Sequence, residues 1–269
     1  MQIQRDLQFE GMLHQSYLEI SFSGYVQTDE DWHQKPLPSP YSRLYYVTEG
    51  SGVLLSENSK MELEPGYVYL APCGSPCGFY GTDSVTKLFF HMRVQLPNGY
   101  DLFAAAGRFA RIPFPVERIQ TLLDWYFSKD IVKHTMLKCA LWEIVAAFAG
   151  ELEIAAEGQM VYSPVVQKAI MYIRSNLRAD LAVQDVADAL YCSVGSLSYS
   201  FRQDMGVTMA RYIEDLVMQE AQRLLQDSDK TIGQISSELG FCDQFYFTRR
   251  FSRRYRITPR EYRKNCAKF

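Results

Sequence analysis

The sequence predicts an α+β multidomain protein, with a β-rich N-terminal half, two helices after it and an all-α C-terminal half. Three observations predict this. Residues 17–94 break into short strand-like runs separated by turn residues. After Pro115 the apolar residues recur at steps of three and four. From Pro164 onward the chain is helical and repeats itself at a step of 49 or 50 residues.

The strands come first. Tyr17 to Val26 and Ser42 to Thr48 are rich in aromatic and β-branched residues, which suit a pleated, half-buried surface. Gly50-Ser51-Gly52 reads as a turn before Val53-Leu54-Leu55, and another turn is expected near Asn58. Met61 to Leu63, the turn Glu64-Pro65-Gly66 and Tyr67 to Leu70 follow. A loop rich in Pro, Gly and Cys leads to a last run, Val85 to Val94. Short strands at a spacing of about 8–12 residues predict a sandwich or barrel. Two amphipathic helices come next, one carrying Val116, Ile119, Leu122, Leu123 and Tyr126, the other Leu137, Leu141, Ile144, Val145 and Phe148. Such stripes serve as core or as a dimer surface, and the pattern leaves both open.

The C-terminal repeat is specific. Leu197 and Phe247, Phe201 and Phe251, Val207 and Ile257, Thr208 and Thr258, and Tyr212 and Tyr262 each lie 50 apart. Val186 and Ile235, like Leu190 and Leu239, lie 49 apart, so one turn in the second copy is a residue longer. Each copy reads as a helix-turn-helix. In the second, Thr231 caps a short helix bearing Ile232, Ile235 and Leu239. Gly240 stands where the turn needs a positive φ, and Phe241 plugs the angle between the helices. Phe247 and Phe251 face inward and leave Gln244, Phe245, Thr248 and Arg249 on the opposite face. Gln pairs with adenine, Arg with guanine, and a ring or Thr methyl meets the thymine methyl. A lone motif of this kind is often only a compact corner. Two copies with a basic reading face argue against that.

Composition bounds the rest. Hydrophobic residues make up 47% and charged residues 22% of the 269, enough for real cores. Met1 to Gly11 has no basic segment followed by an apolar run, so no signal peptide is expected. No run reaches the roughly 18 apolar residues of a membrane span, and a cytoplasmic protein with no membrane partner is expected. The net charge of -3 hides an asymmetry: residues 160–269 hold 16 basic and 12 acidic residues, the remainder 12 and 19. Arg249, Arg250, Arg253, Arg254, Arg256, Arg260, Arg263 and Lys264 lie close together against Glu261 alone, a distribution that fits phosphates. Cys73 and Cys77 form a C-x3-C pair with no second pair or histidine cluster beside it. Two small loop residues are expected there, with no metal, no cofactor and no disulfide framework.

Ile232-x-x-Ile235, Leu239-Gly240-Phe241, Phe247-x-x-x-Phe251 and Ile257-Thr258-Pro259-x-x-Tyr262-Arg263 closely resemble the signature of the AraC/XylS family of transcription regulators. The resemblance covers residues 164–266. It implies two helix-turn-helix units joined by a long helix from about Met209 to Gln226. Their recognition helices would enter successive major-groove segments about 34 Å apart on double-stranded operator DNA. Carried over by position, the second unit offers Gln244, Phe245, Thr248 and Arg249, with Arg250 and Arg253 beside them. The first offers Gly195, Ser196, Ser198, Tyr199 and Arg202. The chain departs from the family pattern at Tyr191, where the turn usually has Gly, and at Glu214, Asp215 and Val217, where basic residues are common. The second unit is therefore expected to dominate specificity.

The front half resembles the cupin-like sensor barrel of the same family. Arg43 to Gly52 and Pro65 to Pro72 carry that likeness. It implies a small-molecule effector, most often a sugar, a homodimer formed through the following helices, and an activator that recruits RNA polymerase. Trp32, Arg43, Tyr46, Tyr67, Tyr80 and His91 are the expected ligand contacts. The four histidines, His14, His33, His91 and His134, lack the metal-binding spacing of enzymatic cupins, so no enzyme is expected. Some relatives transfer alkyl groups to cysteine, and Cys73 and Cys77 keep that alternative open although neither has a flanking His or Lys. A barrel that binds a protein partner, or serves only dimerisation, is the other alternative. The expected boundaries are 1–112 for the sensor barrel, 113–150 for the dimerisation helices, 151–163 for a linker and 164–269 for the DNA-binding domain.

Overall fold

A computed structural model describes residues 16–28, 32–56, 59–154 and 162–266. The turn expected near Asn58, the opening segment Met1 to Gly11 and most of the expected linker lie outside the described residues. The chain divides into two compact units. One holds Tyr17–Gln95 and the chain from Asp101 through two helices. The other holds Leu96–Tyr100 and the helical C-terminal part.

The first unit is an antiparallel sheet of seven strands: β1 (Tyr17–Gln27), β2 (His33–Pro38), β3 (Ser42–Leu55), β4 (Lys60–Leu63), β5 (Tyr67–Ala71), β6 (Pro76–Gln95) and β7 (Ala110–Pro113). The hydrogen-bonded path runs β1-β6-β3-β5-β7, with β2 on β6 and β4 on β3. β6 is the organiser, because its length lets it pair with β1, β2 and β3. The Gly50-Ser51-Gly52 turn and the Pro/Gly/Cys loop are corrected here. β3 runs straight through the three residues, with register shifts against β6. Gly50 has φ 76, and a Cβ there would sit 1.7 Å from the Ser84 carbonyl oxygen. Glycine thus serves a close approach of two strands rather than a chain reversal. Residues from Pro76 onward join β6 as well, so most of the expected loop is strand.

Strand alternation gives the sheet two apolar faces. Leu44, Tyr46, Val68, Leu70, Leu88, Phe90 and Met92 pack with helices α1 (Val116–Phe127) and α2 (Ile131–Glu151). Tyr45, Val47, Tyr69, Cys77, Phe79 and Phe89 form a separate core with Trp32 on the inner face. Most of the two stripes read from sequence is core: Ile119, Leu122, Leu123, Leu137, Leu141, Ile144, Val145 and Phe148 are buried, whereas Val116 is exposed and Tyr126 half-buried. Among the described residues no helix is long and apolar enough to cross a membrane.

The second unit is helical: α3 (Pro164–Ser175), α4 (Val183–Ala189), α5 (Val194–Met205), α6 (Met209–Asp227), α7 (Ile232–Glu238), α8 (Gln244–Tyr255) and α9 (Pro259–Cys266). The repeat is visible in its packing. Phe201 meets Tyr212 at 5.3 Å between ring centroids, and their counterparts Phe251 and Tyr262 meet at 5.4 Å. Caps recur as well. Ser193 and Asp243 accept from the backbone N–H groups of Ser196 and Tyr246, and Thr208 and Thr258 accept from those of Arg211 and Glu261. These side chains satisfy backbone donors that the first helical turn leaves open.

Candidate nucleic-acid interface and effector site

α4 with α5, and α7 with α8, form the two helix-turn-helix corners. The α7–α8 turn spans Leu239 to Asp243 and the α4–α5 turn Leu190 to Ser193, which is the one-residue difference read from the repeat. Gly240 has φ 73, and its counterpart Tyr191 has φ 53. Tyr191 bears the backbone strain of this left-handed position but meets no packing obstacle, since its side chain is 97% exposed. Gly240 has no such room: an added Cβ would lie 2.9 Å from both Arg178 Cβ and Asp180 Oδ1.

The reading face of α8 is open. Gln244, Phe245 and Arg249 are exposed, Phe245 by 70%. Thr248 is half-buried, and its hydroxyl donates to the Gln244 carbonyl at 2.7 Å. That bond occupies the hydroxyl's proton and leaves the methyl as the group available to an apolar partner. Asp243 caps α8, and the backbone N–H of Tyr246 holds its carboxyl below the usual aspartate range. On α5, Gly195, Ser196, Tyr199 and Arg202 are exposed and Ser198 is half-buried. Tyr199 is 69% exposed and stands in the repeat position of Arg249.

Arg250 departs from the expected arrangement. Its guanidinium pairs with Glu214 at 2.6 Å and donates to the Tyr246 hydroxyl at 2.8 Å. One turn on, Arg254 lies 2.7 Å from Asp215, which also meets Arg211 at 3.0 Å. Arg250 and Arg254, four apart, therefore share the helix side that faces α6, while Arg249 and Arg253 point to solvent. Arg263 donates to the Leu225 carbonyl. The two acids that looked out of place on α6 thus hold α8 against it. The four-residue step from Arg250 to Arg254 was the sequence signal for this, and a count of basic residues missed it.

In the sheet unit the six expected ligand contacts separate. Trp32, Arg43 and His91 lie on the inner side. Arg43 pairs across the strands with His91, and Trp32 stacks on Phe79 at 4.6 Å. Tyr46 is fully buried but faces the helices, packed on Phe90 and Phe114, because it is one residue out of phase with Arg43 and Tyr45. Tyr80 is half-buried and follows Phe79, which lies on the inner face, so strand alternation turns it the other way. Tyr67 sits half-buried at the edge of the inner core, under the Arg111 guanidinium at 4.4 Å. Sequence reasoning missed Lys87, which is buried on the inner side with its amine 3.4 Å from the Trp32 ring and 4.2 Å from the Tyr45 ring. A lysine inside the apolar run Val85 to Val94 was the available signal.

Cys73 and Cys77 are buried, and burial pushes both thiols up, away from the thiolate that alkyl transfer requires. Among the described residues no cluster of His, Cys, Asp and Glu could hold a metal ion.

A family model for a helix-turn-helix domain matches residues 186–265. The arabinose operon regulatory protein of Escherichia coli is 25% identical over 264 residues, covering 92% of this chain and 87% of its own length. The C-terminal part thus carries a helix-turn-helix domain, and the chain is similar along most of its length to AraC-type transcription regulators. The relatives that cover most of the chain are transcription regulators, not enzymes. The regulatory protein PocR of Salmonella typhimurium is 32% identical over 113 residues, 42% of this chain, and the match spans only 37% of PocR. Among solved structures, apo ToxT from Vibrio cholerae aligns with a TM-score of 0.53 and 13% identity over 94% of this chain and 98% of its own. That likeness supports the two-part fold.

Proposed function

We propose that this chain is an AraC-family transcription activator that binds its operator as a homodimer and is gated by a small molecule held on the inner face of the sheet unit. The observation that carries the gating is the meeting of Trp32, Arg43 and His91 on one buried face. The alignment with the arabinose regulator, which takes in both units, supports an effector and makes a sugar or sugar derivative the first class to test. Base contacts would come from Gln244, Phe245, Thr248 and Arg249, with Ser196, Ser198, Tyr199 and Arg202 secondary and Arg253 on a phosphate. The homodimer reading rests on α1 and α2, where Trp125, Ile131, Val132 and Met136 line an apolar groove. The domain boundaries proposed from sequence, at about residues 112, 150 and 163, accompany this reading, as does a contact with RNA polymerase once both half-sites are filled.

The test is thermal melting of the full chain against a panel of small metabolites, neutral and charged. A ligand at 100 times its Kd adds about 2.7 kcal/mol to the folded state. A hit that also changes operator affinity supports gating, since only differential affinity for two arrangements shifts their balance. A folded protein that no small molecule stabilises overturns the effector reading in favour of a protein partner or a ligand-free dimerisation module.

A further inference from the structure

The two helix-turn-helix turns differ at one position. Where the second has Gly240, the first has Tyr191, and both residues are left-handed, at φ 73 and 53. A tyrosine is strained there and a glycine is not. The surroundings of the two turns differ as well. Arg178 to Asp180 pack on Gly240, whereas Tyr191 is 97% exposed. The Tyr191 ring thus makes no packing contact that would offset the strain of its backbone. Backbone strain of this kind clusters at functional sites.

The exposed aromatics point the same way. Among the described residues of the helical unit, the large apolar side chains open to solvent are Met171, Tyr191, Tyr199 and Phe245. Tyr199 lies on the reading face of α5 and Phe245 on that of α8. Tyr191 lies on neither; it precedes Ser193, the cap of α5, by two residues. In this motif the second helix puts its first residues on base edges while the first helix crosses the phosphate backbone. The turn between them then stands at the rim of the groove, where a side chain as long as tyrosine reaches the phosphates.

Resting on the DNA-reading role given to α5 above, we propose that Tyr191 is a further DNA contact, whose hydroxyl donates to a backbone phosphate beside the segment that α5 reads. Tyrosine is among the side chains that hold phosphates, and such contacts fix register without reading sequence. An anchor of this kind suits the first unit, where Gly195, Ser196 and Ser198 offer only short groups to the bases.

The probe is a duplex that the full wild-type chain enriches from a random pool, with a scrambled duplex beside it. Tyr191→Phe keeps the ring and loses the hydroxyl, and Tyr191→Gly removes both the ring and the strain. Both variants are expected to bind the enriched duplex about two- to tenfold more weakly, the contribution of one hydrogen bond, and the scrambled duplex by a similar factor. The slope of affinity against salt should stay that of wild type, because the phenol is neutral. Tyr191→Gly is expected to melt at or above wild type; a lower midpoint assigns the ring to the fold and overturns the proposal. Wild-type affinity in Tyr191→Phe overturns it as well, and a loss confined to the enriched duplex overturns it in favour of a base contact. In these cases weaker binding by Arg249→Ala leaves the DNA-reading role standing. A wild-type chain that enriches no duplex removes that role and the proposal together.

Discussion

Gly240 and Gly206 test whether the second helix-turn-helix is held by backbone geometry alone or also by what packs on its turn. Both adopt left-handed conformations, with φ 73 and 69. Alanine at either position incurs a left-handed penalty of about 1–2 kcal/mol, offset by about 0.4–1 kcal/mol because the unfolded chain also becomes stiffer. Their surroundings differ. Nothing lies within 4 Å of a Cβ built at Gly206, whereas at Gly240 it would meet Arg178 Cβ and Asp180 Oδ1 at 2.9 Å and the Ala179 nitrogen at 3.4 Å. Ala179 donates to the Leu239 carbonyl at 2.7 Å, so the segment cannot retreat without losing that bond. Overpacking of this kind adds about 1–3 kcal/mol. Gly206→Ala should therefore lose roughly 1 kcal/mol and Gly240→Ala roughly 2–4 kcal/mol. Urea unfolding of the full chain, followed by the helical circular dichroism signal, measures both. Equal losses, within about 0.5 kcal/mol, would refute the claim that the loop carrying Arg178 to Asp180 braces the turn.

Further outcomes are expected. Of the eight clustered cations, Arg250, Arg254 and Arg263 are engaged within the protein, so Arg253→Ala should flatten the salt dependence of operator binding by about 0.9 in log–log slope if it meets a phosphate. Arg250→Ala should leave that slope unchanged and lower stability by about 1–3 kcal/mol through the half-buried Glu214 it strands. Ala182 occupies the repeat position of Thr231 and offers no capping oxygen, so Ala182→Ser should stabilise α4 by about 1 kcal/mol in the same urea assay. Operator selection with Arg249→Ala and Tyr199→Ala should show the larger loss of sequence preference for Arg249; the reverse order would refute dominance by the second unit. His91 has a folded-state pKa below its usual value. As pH falls below about 6.5 the unfolded chain takes up a proton that the folded chain refuses. Melting of the sheet unit should thus decline from pH 7.5 to 5, and less so in His91→Phe.

The helical half was legible because its information is local and appears twice. The 49- and 50-residue offsets, the cap at Thr231 and the glycine at position 240 each act within one or two turns of chain, so the sequence by itself determined the two corners and their exposed faces. It marked the apolar stripes of α1 and α2 but left open whether they are core or surface, and the packing against the sheet decided that. Tertiary structure alone decided matters that depend on a distant neighbour. Arg249 and Arg250 are adjacent and chemically identical, yet Glu214, far off in sequence, takes one and leaves the other to solvent. Tyr45 and Tyr46 are likewise adjacent, and only the pairing of β3 with β6 and the docking of α1 assign them to opposite cores. The Gly50 to Gly52 stretch reads as a reversal in isolation and is instead an irregular part of one continuous strand, with the Ser84 carbonyl lying against Gly50. Strand faces and ion-pair partners are long-range properties, fixed by contacts that no window of sequence contains.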